Sequence, residues 1–424
     1  MTRGPAPSSV VPGERDYRCE FANEPMSHFP FLFGKKIVLV SHELSLTGAP
    51  LLLVETGTTL VESGAEVALI NVGFQDPAFP VPALDGFRVL PGKESFESFA
   101  TAGAADLIIA NTAETKHWVR QLLESHPSAG AKLIWWIHEM QTEFFGQEIS
   151  CLSQARAAIF DSHSSYRIWK QTDLPMPAIT RVVHPGVSVD FLQAADKLQS
   201  AAGELSRPEP QLGPGGFREA IRRQLSVSSE DFLVSLFGTY CCRKGHDLLV
   251  ETVGEMLEHQ PDLPLKLLLI GFRSDSERHN FMSTRSEIQS RSLGPNRVLR
   301  EVVDLRPYYL ATDAFVMNTQ DEGEAFGRVT IEAMAFRLPV LGTACGGTKE
   351  IVIDGVTGLL HPPGREGKTF LAGNILELMN NRSRASALGE AGFQRVSREF
   401  TEVRFYQGLA EILETVYCAS SSHH

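Results

Sequence analysis

The chain has 424 residues, of which 43% are hydrophobic and 21% charged, with a formal net charge of −12. That length accommodates about two or three domains with full cores, and the composition is that of a soluble globular chain. The negative balance argues against a nucleic-acid binder or a generally basic membrane-surface protein, while leaving room for a local basic cleft.

Residues 1–34 are rich in Pro, Ser and Gly and contain no run approaching the ~18 apolar residues of a membrane span. They read as a mobile leader whose Phe29–Phe33 segment docks on the first domain. Cys19, Cys151, Cys241, Cys242, Cys345 and Cys418 show no C-x-x-C spacing, which points to free thiols in a reducing compartment. A cytoplasmic location is the resulting expectation, with peripheral membrane association left open.

Lys35–Ser41 (KKIVLVS) predicts a strand buried on both faces. Gly48 then permits a tight turn and Pro50 suits the first turn of a helix running to about Ser63. Strand, glycine loop and helix in that order outline a phosphate cradle. Further strands are predicted at Glu66–Val72, Asp106–Asn111, Lys132–Ile137 and Ala157–Asp161, with Arg181–Val187 as the last strand and the hinge of a first domain at 35–190. Strands alternating with helices imply a parallel sheet covered on both faces, with ligands gathering at the C-terminal strand ends. That rule singles out His138, with Glu139 and Glu143 close by. Asp161-Ser162 reads as a helix cap rather than as part of a hydrolase triad.

Phe191–Pro214 breaks the periodicity, and 191–230 reads as a linker or exposed insertion. Within them Phe217–Leu225 predicts a short helix whose Arg218, Arg222 and Arg223 fit a solvated face. A second domain, 231–400, opens with the strand Phe232–Gly238, then Thr239, Arg243-Lys244-Gly245 and a helix to about His259. Strands at Leu265–Gly271, Arg297–Val303 and Ala314–Asn318 come next, with a helix at Ser276–Ser290.

The most informative stretch is Asp321–Val352. Asp321, Glu322 and Glu324 precede Phe326-Gly327, and Gly327 turns the chain into a helix over Arg328–Arg337. The first backbone N–H groups of that helix are left unpaired, and such a start attracts phosphate. Glu324 and Glu332 stand eight apart, and an ionised carboxylate accepts both hydrogens of a vicinal diol. Two diol readers flanking an anion site suit a sugar nucleotide, one for the sugar and one for the ribose. Helical runs at Lys368–Asn380, Ser383–Glu399 and 401–418 complete the chain.

The Glu324–Glu332 spacing with its inner E-x-F-G, the Glu-Ala-Met-Ala run, Leu338–Leu341, Gly346-Gly347-Thr348 and Glu350 resemble family 4 glycosyltransferases, the retaining GT-B enzymes. The wording GRVTIEAMAF, LPVLGT and GGTKEIV resembles a plant and algal branch of that family. The resemblance covers nearly all of Lys35–Cys418 and implies an α/β GT-B fold. Two Rossmann-like doubly wound domains would face a central cleft, and the 401–418 helix would cross back to the first. It implies transfer of a sugar from a nucleotide-diphosphate sugar, UDP ahead of GDP or ADP, to an acceptor hydroxyl.

By that resemblance Glu324 holds the donor sugar and supports oxocarbenium character, and His138 faces the sugar. Gly48, Lys244 and the Phe326-Gly327 helix start take the diphosphate, Glu332 the ribose diol, and the backbone near Val302 the base. Thr239 stands where the family has an arginine, with Arg243 as the nearest substitute, and Thr47 stands where a first glycine is usual. Gly346 and Gly347 would add N–H donors, and Glu350 would hold that loop. No D-x-D triplet occurs, so the expectation is of no metal and no cofactor beyond the donor. The acceptor, whether sugar, lipid, protein or small molecule, is left open, and no nucleic-acid partner is expected. Two other readings stand beside it, a donor-binding scaffold with weakened turnover and a sugar-nucleotide epimerase on the same fold.

Overall fold

The computed structural model describes residues 28–76, 79, 84–92, 95–141, 146–204, 216–271, 297–300 and 304–421. Glu143, Val302, the Ser276–Ser290 helix and most of the leader lie outside the described residues.

The first domain runs β1 (Lys36–Ser41), α1 (Gly48–Glu62), β2 (Glu66–Asn71), β3 (Arg88–Pro91), α2 (Phe96–Ala104), β4 (Leu107–Asn111), α3 (Lys116–Ser125), β5 (Leu133–Ile137), β6 (Ala157–Phe160), α4 (His163–Lys170) and β7 (Ile179–Val182). Its seven strands are parallel in the order β3-β2-β1-β4-β5-β6-β7. β4 and β5 are buried along their whole length, as helices on both faces require of an apolar run. The strand order reverses between β1 and β4, so a crevice opens beyond Ser41 and Asn111.

Two helices, α5 (Val189–Glu204) and α6 (Gly216–Gln224), lead into the second domain. That domain repeats the plan with β8 (Phe232–Phe237), α7 (His246–His259), β9 (Leu265–Ile270), β10 (Arg297–Arg300), α8 (Arg306–Ala311), β11 (Ala314–Met317), α9 (Arg328–Ala335), β12 (Val340–Thr343), α10 (Thr348–Ile351), β13 (Gly358–His361), α11 (Gly367–Asn380) and α12 (Arg382–Glu399). Its parallel strands lie in the order β10-β9-β8-β11-β12-β13, with the reversal between β8 and β11. A last helix, α13 (Glu402–Ser421), returns to the first domain, where Phe405, Leu409, Ile412, Leu413 and Val416 join its core. Thr59 Oγ1 donates to Tyr406 Oη at 2.8 Å across that contact.

Several expectations are corrected. The 191–230 stretch is not a plain linker, since α5 and α6 occupy much of it. Phe191, Leu192, Ala195, Phe217 and Ile221 pack into the second-domain core, and the polar average around them hides their sparse apolar spacing. Arg222 is no solvated residue. It is 3% exposed and donates to the carbonyls of Ala311, Ser228 and Asp231 and to the Asp313 carboxylate. Arg218 binds the same carboxylate, and only Arg223 of the three stays in solvent. The docking expected of Phe29–Phe33, by contrast, is present: Phe29 and Leu32 are fully buried in the first-domain core, while Phe33 is exposed. The last strand of the first domain begins at Ile179, two residues earlier than expected, and within the hinge after it Val187 bridges Thr401.

Candidate active site

The two strand-order reversals face each other across one cleft. One cavity in it, about 320 Å³, is lined from the first domain by Thr47, Gly48, His138 and Asp161 and from the second by Gly238, Thr239, Lys244 and Glu324–Val329. A neighbouring cavity of about 570 Å³ carries Glu55, Arg328, Glu332 and Tyr406 on its walls. Glu324 and Glu332 therefore line adjoining compartments rather than one.

On the first-domain side, His138 follows β5 and its side chain is 9% exposed. Its Nδ1 lies 2.6 Å from Asp161 Oδ2 and its Nε2 2.7 Å from Asn111 Oδ1. The Asn111 amide group is turned the other way, donating to Ala49 O, so both ring nitrogens meet acceptors. Burial by itself would lower the His138 pKa, but the Asp161 carboxylate and then Glu139 outweigh it and raise it. Protonation of His138 is thus easier than that of a free imidazole. Asp161 also accepts from Trp136 Nε1 at 2.8 Å, and Glu139 accepts the N–H groups of Ala113 and His138 at 3.0 Å. Thr112, just past β4, takes a φ of 74°, a strained value for a β-branched residue, and its Oγ1 lies 3.0 Å from His42 Nδ1.

On the second-domain side, Gly327 turns the chain into α9 with φ 99°, and a Cβ there would meet Met317 Cε at 2.8 Å. Lys244, half-buried, pairs with the Glu324 carboxylate. Arg243 is exposed and is not among the residues lining the cavity, whereas Thr239 is. The Gly347 N–H does not face the cleft as a free donor, since it donates to Glu324 O at 2.8 Å and holds the acidic loop in place. Glu332 accepts from Tyr309 Oη at 2.9 Å. Burial pushes its carboxyl pKa up, against the pull of Arg328 and then Tyr309.

Two contacts tie the domains together beside the cleft. Arg328 Nη2 donates to Glu55 Oε1 at 3.0 Å. Glu350 reaches the start of α4, where its Oε1 accepts from Ser164 N at 2.6 Å and its Oε2 from His163 N at 2.9 Å and His184 Nε2 at 3.0 Å. Burial would raise the Glu350 pKa, but these donors bring it down to about 2. The Glu350 carboxylate thus joins the two domains, and it accepts from His163, Ser164 and His184 rather than from its own loop as expected.

Asp161, Asn111, Glu55, Arg328 and Tyr309 are site residues that the sequence does not single out. The strand-end rule that finds His138 applies equally to Asn111, the last residue of β4, and to Asp161, just past β6. Nothing in the local sequence pairs Glu55 with Arg328, which are 273 positions apart.

Known proteins resemble the chain over most of its length. Residues 33–201 match the model of glycosyl-transferase family 4, and residues 217–395 that of glycosyl transferases group 1. A D-inositol 3-phosphate glycosyltransferase of Corynebacterium aurimucosum is 28% identical over 214 residues, 50% of this chain and 48% of that protein. The protein of the same name from Kribbella flavida is 33% identical over 193 residues, covering 44% of this chain and 40% of the relative. The matches thus span about half the length of these curated relatives. The crystal structure of Anabaena HepE with UDP-glucose superposes with a TM-score of 0.74 at 21% identity, over 90% of this chain and 100% of that one. Sucrose-phosphate synthase from Thermosynechococcus elongatus gives 0.68 at 22% identity, over 91% and 100%. Both share the fold of two facing α/β domains.

Proposed function

The chain belongs to the family 4 glycosyltransferases, and from that premise we propose that it transfers a sugar from a UDP-sugar to an acceptor hydroxyl with retention at the anomeric carbon. The observation that carries this reading is the shared cavity wall, where Glu324 and Lys244 of one domain face Gly48 and His138 of the other. UDP as the carrier is supported by the UDP-glucose complex of HepE.

In this reading the sugar hydroxyls take over Glu324 and the diphosphate takes over Lys244, exchanging the pair that now joins them. As the sugar–oxygen bond breaks, negative charge grows on the leaving phosphate. Lys244 and the backbone N–H groups at the start of α9 oppose that charge most strongly at that moment. The His138 imidazolium, fixed by Asp161 and Asn111, adds positive potential under the sugar. Glu332 holds the ribose diol in the adjoining cavity. The basic groups fill the role that a bridging metal would have, so turnover is metal-independent.

The test is thermal stabilisation by UDP, GDP and ADP, each with Mg²⁺ or with EDTA, and then acceptor-dependent release of free nucleotide. A shift with UDP that EDTA leaves unchanged, and a product with the donor's anomeric configuration by NMR, is the expected result. Binding without acceptor-dependent release would favour a scaffold, and no shift with any nucleotide at millimolar concentration would overturn the donor reading. Dependence of turnover on Mg²⁺ would remove the metal-independent mechanism alone.

A further inference from the structure

The two cavities of the cleft meet at a wall common to both, formed by Leu46, Gly48, Leu52, Leu305, Arg328 and Val329. If the donor binds as proposed, on which this inference rests, the sugar sits by Glu324 in one cavity and the ribose by Glu332 in the other. The diphosphate that connects them must then cross the common wall. Among the described residues, Arg328 is the one charged side chain on it.

Charge points the same way. Lys244, the other lysine or arginine on the 320 Å³ cavity wall among the described residues, shares that wall with its partner Glu324, which stays beside the donor when it holds the sugar. The partner of Arg328, by contrast, lies outside that cavity on the opposite domain. Arg328 is the first residue of α9, one turn before Glu332, and thus stands between the two carboxylates that would read the diols. Its side chain is 23% exposed, and its partner is Glu55 of the opposite domain, 48% exposed, with Nη2 2.9 Å from Oε2. A half-exposed carboxylate is a partner that an anion can displace at small cost. A guanidinium can grip two phosphate oxygens at once, which an ammonium cannot.

We propose that Arg328 is the principal diphosphate-binding cation of this cleft, exchanging Glu55 for the donor's phosphate oxygens when the donor is bound. Glu55 keeps the guanidinium over the common wall until that exchange. Arg328 is then a donor-binding residue, not a strut between domains, and the two roles differ in what they predict.

The experiment is calorimetric titration of the full chain and its variants with UDP and with uridine, which lacks the phosphates. Arg328→Ala should weaken UDP binding about 10- to 100-fold, the loss of a charge-assisted contact, and leave uridine binding unchanged. Arg328→Lys should recover part of the UDP affinity, which separates the effect from misfolding. Glu55→Gln should bind UDP as tightly as the unaltered chain or more tightly. Arg328→Ala binding UDP like the unaltered chain overturns the inference alone. So does an equal loss in Glu55→Gln, because an interdomain strut fails whichever partner is removed. If the unaltered chain binds no nucleoside diphosphate, the donor reading itself falls and this inference with it.

Discussion

On the first-domain wall of the cleft, His138 has both ring nitrogens engaged by buried protein groups, and Asp161 behind it is engaged in turn by Trp136. On the second-domain wall, Lys244 and Arg328 are held by the carboxylates of Glu324 and Glu55, each of them a quarter or more exposed. The first arrangement is a satisfied network in a low dielectric, stiff and costly to break. The second consists of ion pairs at a cavity surface, whose members change partner at small cost. One wall fixes shape and potential, and the other, in the proposed reading, would exchange protein carboxylates for ligand oxygens.

Glu324→Gln tests the exchanging wall and should have the largest effect. Turnover should fall about 10²- to 10³-fold, the range for removing one aligned electrostatic group, while the melting temperature changes little. A large loss of stability instead would mean that this wall is as structural as the other.

Asp161→Asn tests the fixed wall. It should cost about 1–3 kcal/mol of stability, because Trp136 Nε1 and His138 Nδ1 lose a charged buried acceptor. The His138 pKa is raised in the folded protein, so its contribution is complete below the unfolded value near 6.5 and is lost as pH rises through the folded value. Denaturation of both forms between about pH 5 and about pH 9 should therefore show a gap that narrows with increasing pH. A constant gap would show that the imidazolium is not what Asp161 stabilises.

Glu350→Gln probes the seam between the two walls and should have the smallest effect, a loss of roughly 1 kcal/mol at neutral pH. The Glu350 carboxyl is depressed to about 2, so its contribution is present above the unfolded value of about 4.5 and disappears as pH falls towards 2. Thermal melts across that acid range should show the two proteins converging. A difference that persists at the acid end would place the role of Glu350 in packing rather than charge.

Much of this architecture is legible locally. Continuous β-branched runs such as Lys36–Ser41 are buried along most of their length, and the alternation of strand and helix implies parallel sheets. β3 escapes a reading from sequence because Arg88 and Val89 are exposed and Leu90 is buried, which leaves no continuous buried apolar run. The acidic loop, the glycine turn and the helix after it are readable because Asp321–Ala335 is one contiguous stretch whose chemistry depends on neighbours in sequence. Asp161 reads as a cap together with Ser162; Ser162 does accept from Ser165 N, but the Asp161 carboxylate turns to His138.

Hydrophobic period and strand-end placement are local properties, so the amino-acid order alone specifies the two sheets, the cleft at their strand ends and the residue types available to line it. Which charge meets which is settled in three dimensions. Arg243 and Lys244 are neighbours in the chain, yet one is exposed outside the cavity lining and the other lines it. Glu55 and Arg328 belong to different domains and meet only when the last helix and the Glu350 contact bring those domains together. Electrostatic partnership depends on distance in space, and spacing along the chain does not record it.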